Sequence, residues 1–251
     1  MTPRLFVLCS RCTLFMIAFQ LRKDNLSGIG TLNEKHLHSS LKEWCSLPGD
    51  RFEIPVEGYV VDIVRGDLLL EIQTGSFSAI RFKLRKLLRN HSIRLFYPVP
   101  LEKWIIKLHE EEDREPTRRR SPKRGRVEDL FRELVSIPGL MCNPEFSLEV
   151  LLTREEEIRV YDGKRGWRRR GWVITERRLL EVVRSRVLET PADWLELLPK
   201  TLDDVFTTAD LAEEMGTRRD LAQKMAYCYR KAGLLVQKGK RGRSNLYSIS
   251  D

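Results

Sequence analysis

The chain has 251 residues with 45 Lys and Arg against 36 Asp and Glu, a net charge of +9 at pH 7 and a sequence pI near 9.4. That length suits one large domain or roughly two to three small ones, and 41% hydrophobic residues with 15 Gly and 11 Pro exclude a collagen-like or mostly disordered chain. A basic surface favours phosphate backbones or anionic lipid, and the excess sits at the two ends: +6 over residues 1–108, +2 over 109–126, −3 over 127–206 and +4 over 207–251.

Residues 5–19 are apolar, but Arg11 interrupts them and no small-residue cleavage site follows. They also fall short of the about 18 apolar residues that a span needs. The expectation is an over-extended start over 1–25, with Met16 as the alternative first residue. Five cysteines, Cys9, Cys12, Cys45, Cys142 and Cys228, are an odd number in a chain too long to need disulfide staples, which argues for a reducing, cytoplasmic setting. Cys9 and Cys12 have no second pair at zinc spacing, and His36 and His38 are not placed to complete one, so no zinc site is expected.

Over 33–45, Leu37, Leu41 and Trp44 fall at i, i+4 and i+7, one face of a helix. Residues 58–64 and 68–73 are short apolar runs separated by Arg65-Gly66-Asp67, a hairpin signal. Ser76 caps an expected helix whose buried stripe is Phe77, Ile80, Leu84 and Leu87, with Arg81, Lys83, Arg85, Lys86 and Arg89 on the solvated or ligand-facing side. Residues 93–97 make another short buried strand. Helix, strand, strand, helix, strand implies a mixed sheet with flanking helices and one parallel neighbour.

Acids inside those apolar strands carry the main functional signal. With Arg65-Gly66 as a two-residue turn, Asp62, Glu71 and Gln73 project from one face. Asp62 and Glu71 are then diagonal neighbours roughly 7–8 Å apart at the backbone, so two carboxylates converge on one ion. Hard cations such as Mg²⁺ take carboxylate oxygens, and a metal held there activates water and neutralises a phosphoryl transition state. The plainer reading is that both acids guard a sheet edge against pairing. Acids embedded in runs such as Gly58-Tyr-Val-Val-Asp62 and Leu-Leu-Leu-Glu71 need a partner, which weighs for a site.

Residues 33–108 resemble the core of the PD-(D/E)xK nuclease superfamily, the restriction-endonuclease-like fold. Asp62 is similar to the motif's first acid, Glu71-Ile-Gln73 to its E-x-K segment in an E-x-Q form, and Glu34 to the extra acidic ligand that many members carry on the first helix. The resemblance implies a nuclease-like domain over 26–108 with Glu34, Asp62, Glu71 and Gln73 as catalytic residues. Of these, Asp62, Glu71 and Glu34 would hold Mg²⁺ or Mn²⁺. Gln73 departs from the pattern: an amide hydrogen-bonds the attacking water but brings no cation to steady developing charge. Lys83 or Lys86 on the following helix replaces that charge, unless both are merely solvated.

Residues 109–126, an acidic block and then a basic one, read as a disordered charged linker. A mixed α+β domain is expected over 127–205, with an amphipathic helix over 127–137, strands over 147–153 and 157–161, and a helix over 175–187. Within it, residues 162–172 interleave five basic residues with Trp167 and Trp172. Arg168 and Arg169 suit phosphates and the rings suit bases; tryptophans that pack back onto the domain are the equal alternative.

In the last unit, 206–251, Thr207 or Thr208 caps a short helix to Met215, Gly216-Thr217 turns the chain, and 218–232 forms a second helix that Gly233 ends. Residues 234–237, a basic tip over 238–243, and 246–249 read as a β-hairpin. The unit resembles a winged helix. That implies a second helix carrying Arg218, Arg219, Gln223 and Lys224 into a major groove, with Lys240, Arg241 and Arg243 of the wing on phosphates or the minor groove. Protein docking is the other use of such a unit.

The expected function is a cytoplasmic DNA-binding protein with an α/β nuclease-like domain, α+β overall, and a candidate Mg²⁺-dependent endonuclease. Its partner is DNA, with RNA the weaker alternative, no membrane, and a homodimer where both strands are cut. The contrasting expectation is a non-catalytic regulator or adaptor that grips DNA through a degenerate nuclease fold and a winged helix.

Overall fold

Apolar side chains alternate to both faces of the central strands, and helices cover both faces in turn. The computed structural model describes residues 32–109, 115–163, 165 and 167–250. After α1 (Leu32–Cys45) come β1 (Arg51–Val56), β2 (Tyr59–Arg65) and β3 (Leu68–Ile72), an antiparallel meander. A 3₁₀ turn and α2 (Arg81–Leu87) cross over to β4 (Ser92–Leu108), parallel to β3. The far end of β4 pairs antiparallel with β5 (Thr117–Arg120). α3 (Phe131–Leu134) lies on the way to β6 (Phe146–Tyr161), parallel to β4, and β7 (Trp172–Leu188) returns antiparallel to β6. The sheet order is β1-β2-β3-β4-β6-β7.

Leu69, Leu95 and Val150 pack with Leu84 and Leu87 of α2 and Phe131 of α3. Leu70, Phe96 and Leu151, their neighbours along the same strands, pack with Leu37 and Leu41 of α1. The fold is therefore mixed α+β, a mixed sheet between two helical layers.

α4 (Pro191–Leu195) leads to α5 (Thr208–Glu214), α6 (Arg219–Lys231) and a separate hairpin, β8 (Leu235–Arg241) with β9 (Ser244–Ile249). The Thr207 side chain caps α5 by accepting from the Ala209 and Asp210 amides. This unit shares the larger core: the Tyr229 ring stands 5.2 Å from that of Phe131, and its hydroxyl donates to the Trp194 carbonyl at 2.6 Å. Arg132 pairs with Asp220 at 2.9 Å, and Arg126 donates to the Met215 carbonyl at 2.6 Å. Among the described residues no helix is long and apolar enough to cross a membrane.

Several expectations are corrected. The strands expected within a separate 127–205 domain belong instead to the same sheet as β2 and β3, because β4 and β6 pair from Ile93↔Phe146 to Leu108↔Val160, with one register shift between Pro100 and Glu102. The two strands expected over 147–161 are one. Residues 175–187 are strand, not helix, because β7 pairs with β6 from Tyr161↔Trp172 to Leu148↔Leu188. Part of the expected linker is β5: Arg118 stacks over Trp104 at 5.1 Å and pairs with Glu156, and Arg120 pairs with Glu102. Two of its three arginines are thus paired as it covers the β4 edge beyond the end of β3. The helix expected over 127–137 is a 3₁₀ turn followed by the four-residue α3. Strand β1 went unforeseen because it is a mostly exposed edge with no clean alternation to read.

Candidate functional site

The site grows out of the place where β2 and β3 part. They pair through Arg65↔Leu68, Val64↔Leu69 and Ile63↔Leu70, so the turn is Gly66-Asp67, one residue later than expected. The same register sets Asp62 opposite Glu71, but the ladder ends before them. Beyond it β2 stays with β1, at Pro55↔Val60, and β3 stays with β4, at Ile72↔Phe96. A fork of this kind strands backbone groups that need partners. Charged side chains supply them: Asp62 Oδ2 accepts the Ile72 amide at 2.9 Å, and Lys83 Nζ donates to the Val60 carbonyl at 2.6 Å.

Each carboxylate is gripped by a different helix. From α1, His38 Nε2 lies 3.2 Å from Asp62 Oδ2 and Lys42 Nζ lies 3.4 Å from Asp62 Oδ1; Lys42 also reaches Glu53 at 2.5 Å. From α2, Lys83 Nζ lies 2.5 Å from Glu71 Oε1. Glu71 alternates with Leu70 and Ile72, which pack toward α1, and so faces α2. Asp62, Glu71 and Gln73 therefore do not share one face as expected: Asp62 and Glu71 meet across the fork, drawn to opposite helices. The Gln73 amide nitrogen donates to the Ser76 carbonyl at 3.0 Å, part of the turn that leads into α2.

Burial is the largest influence on both acids, and they respond in opposite directions. At Glu71, 4% exposed, burial outweighs the Lys83 ammonium and, helped by the charge of Asp62, pushes the carboxyl up to about 7. At Asp62 burial is overcome by the hydrogen bond and charge of His38, the Ile72 amide and the Lys42 charge, which hold the carboxyl below the usual range.

His38 and Lys42 belong to the site and were missed in the sequence. The signal was there: they stand at i and i+4 on α1, beside the buried pair Leu37 and Leu41. Arg177 borders the site as well, donating to the Thr74 carbonyl at 3.4 Å and to Glu155 at 2.8 Å. It could not be placed while its strand was read as a helix. Glu34 stands one turn before His38 on α1, and its side chain lies outside the described residues.

Asp62 and Glu71 offer the hard oxygens that Mg²⁺ or Mn²⁺ takes. Both already face a lysine ammonium, Asp62 that of Lys42 and Glu71 that of Lys83. Among the described residues no three His, Cys, Asp or Glu side chains are grouped to hold a metal ion.

The expected nucleic-acid contacts lie on the C-terminal unit and on the β6–β7 tip. Arg218, Arg219, Gln223, Lys240, Arg241 and Arg243 are exposed and Lys224 is half-buried. Arg218 pairs with Asp220 and Arg241 with Asp210, while Arg219 reaches Ser244 at 3.5 Å. Arg168 and Arg169 are exposed at the tip. Between the far end of β4, residues 121–126, α3 and the α5–α6 turn runs a groove of about 770 Å³ whose lining includes Lys103, Lys123, Arg124, Arg126, Arg132 and Arg218.

A model of the family described as Domain of unknown function (DUF8091) matches residues 35–189. The chain belongs to the DUF8091 family. The matched DUF8091 segment begins in α1 and runs past the end of β7, so it takes in the whole sheet and the fork and stops short of α5, α6 and the β8–β9 hairpin. An uncharacterized protein of Treponema pallidum (strain Nichols) is 32% identical over 220 residues, covering 87% of this chain and 86% of that protein. Its likeness therefore extends beyond the DUF8091 segment. No solved structure matches.

Proposed function

We propose that this DUF8091 protein binds DNA and hydrolyses phosphodiesters at the β2–β3 fork, as a metal-dependent nuclease of the PD-(D/E)xK type. In this reading α5, α6 and the β8–β9 hairpin form a winged helix that holds the duplex. The observation that carries the proposal is the fork, where two acids and a lysine converge on the parted ends of two strands. Lys83 brings the cation that Gln73 lacks, and its bond to the Val60 carbonyl fixes the ammonium beside Glu71. There it would balance charge that develops on a phosphoryl oxygen. His38 and Lys42 orient the Asp62 carboxylate. Asp62 and Glu71 would be the residues to hold a divalent ion, which would supply Lewis acidity toward the phosphate and the water. Cys45, Cys142 and Cys228 are free thiols, in keeping with the cytoplasmic setting assigned to it.

Cleavage of plasmid, single-stranded and branched DNA with Mg²⁺ or Mn²⁺ tests this, beside Mn²⁺ titration calorimetry. Wild type should cut, and Asp62→Ala, Glu71→Ala and Lys83→Ala should each lose about 100-fold or more in rate, the first two with weakened Mn²⁺ binding. No cleavage by wild type, or cleavage that survives Asp62→Ala and Glu71→Ala, removes the catalytic claim. A second reading is favoured by the ion pairs themselves: Lys42 and Lys83 already neutralise the two acids, as in a fold that only grips DNA. That reading predicts salt-dependent binding without metal and no turnover.

A further inference from the structure

We propose that the tip of the β6–β7 hairpin is a preformed stacking platform for an unpaired base, so that the preferred ligands are nucleic acids with single-stranded or frayed segments. This rests on the nucleic-acid reading above but not on its cleavage step. The tip carries two tryptophans with opposite fates. Trp172 is packed edge-on to Tyr161 at 5.6 Å and to His109 at 5.3 Å, with Lys107 over its ring at 4.2 Å. Trp167 is 79% exposed, although an indole gains more from burial than almost any side chain.

The described residues of the intervening loop tie its base together. The Asp162 amide donates to the Gly171 carbonyl at 2.9 Å, the Asp162 carboxylate accepts the Arg165 amide at 3.0 Å, and Trp167–Arg169 is a 3₁₀ turn. Gly171, at φ 83°, lies so close to Tyr161 that a Cβ there would meet the ring at 2.7 Å. Only glycine allows the chain to wrap that ring so closely.

Arg165, Arg168, Arg169 and Arg170 flank the indole in sequence, all exposed, with Arg165 paired to Asp162 at 3.2 Å. The Arg168 guanidinium lies over the Trp167 ring at 5.0 Å, the face-on geometry that a planar base adopts on an aromatic surface. Arginines beside one flat ring suit phosphates that flank a base. A closed duplex hides its base faces in the stack, whereas a single strand offers them. An anionic membrane also takes tryptophan and arginine, but the tip holds four arginines to one protruding indole and no amphipathic helix to enter a bilayer.

The test is fluorescence anisotropy of the full chain with a labelled single strand, the matching duplex and a forked duplex, in EDTA so that nothing is cut. Trp167→Ala should weaken the single strand and the fork about tenfold and change the duplex by less than about twofold, with Trp167→Phe restoring most of the loss. The double variant Arg168→Ala with Arg169→Ala should weaken both of those ligands and lower the salt dependence of their binding. Three results overturn the proposal: wild-type affinity of Trp167→Ala for the single strand and fork, an equal loss on the duplex, or Trp167-dependent partition onto phosphatidylserine vesicles with nucleic-acid affinity unchanged. Retention of this pattern by a protein that cuts nothing would sink the nuclease reading alone, whereas metal-dependent cleavage by a protein whose binding to single strand and fork ignores Trp167 would sink the stacking platform alone.

Discussion

Replacing Glu71 with glutamine isolates the electrostatic cost of the fork. The folded chain holds this carboxyl at about 7 against 4.5 for the free side chain, so between those values the native state keeps a proton that the unfolded chain has released. Stability from this group is then complete below about pH 4.5 and declines as pH rises through 7. At 1.36 kcal/mol per pH unit, the gap amounts to about 3 kcal/mol lost by pH 8. Glu71 is 4% exposed, so water screens little of this. Glutamine keeps the shape and leaves an amide oxygen for the Lys83 ammonium, removing the charge and little else. Urea denaturation between about pH 4 and 8 should find the variant equal to wild type at the acid end and about 2–3 kcal/mol more stable at the alkaline end. In melting temperature that is ~4–10 °C for a chain of this size. Adding Mn²⁺ should erase the wild-type deficit at alkaline pH and leave the variant unmoved, because only the carboxylate gains from the ion. A stability difference that is constant across pH, or a wild type that is the more stable at pH near 8, would refute the reasoning.

Two further substitutions probe the scaffold around the site. Arg177→Ala leaves Glu155, 1% exposed, with the Thr153 hydroxyl at 2.7 Å but without its cation at 2.8 Å. Thermal denaturation should show a loss of about 3–5 kcal/mol, the cost of a buried charge left unpaired, and a loss below about 1 kcal/mol would mean that Glu155 is neutralised some other way. Gly125→Ala would put a Cβ 2.5 Å from the Pro100 carbonyl oxygen and 2.7 Å from Val99 Cγ1, a clash with backbone that cannot swing aside. It should cost about 1–3 kcal/mol in urea titrations, and an unshifted midpoint would contradict the close passage of residues 121–126 over β4.

The legible part of the fold is the part where one period dominates. α1 announces itself through Leu37 and Leu41, both fully buried, and α2 through Leu84 and Leu87, while β2 and β3 stand out as apolar runs on either side of a turn. β7 defeats the same procedure because Leu179, Val182, Val183 and Val187 recur at spacings a helix would also give. What decides for strand is tertiary: β6 offers its whole length for pairing, and Arg177, which reads as the polar face of a helix, instead reaches sideways to Glu155 on the neighbouring strand. β5 is hidden for a related reason. A Thr-Arg-Arg-Arg run has no apolar side chain to bury, and it orders only because Trp104, Glu156 and Glu102 are waiting on and beside β4.

The acids of the site were visible as charges inside apolar strands, but their relation was not. Pairing rules extend a ladder to its end, and nothing in residues 58–73 says that this one stops at Ile63↔Leu70. The fork arises because β2 follows β1 while β3 follows β4, and each of those choices is made by residues far away. Its consequence is a difference between two carboxyls that a regular hairpin would have left alike. One is drawn into a network of His38, Lys42 and a backbone amide and held low; the other is buried beside a single lysine and pushed up to about 7. Acids that merely guard an edge sit in water and have no reason to diverge. Two neighbouring carboxyls driven apart in acidity can divide one permanent charge and one exchangeable proton between them, and this divergence follows from the same fork geometry, two acids and a lysine at the parted ends of two strands, on which the proposed chemistry rests.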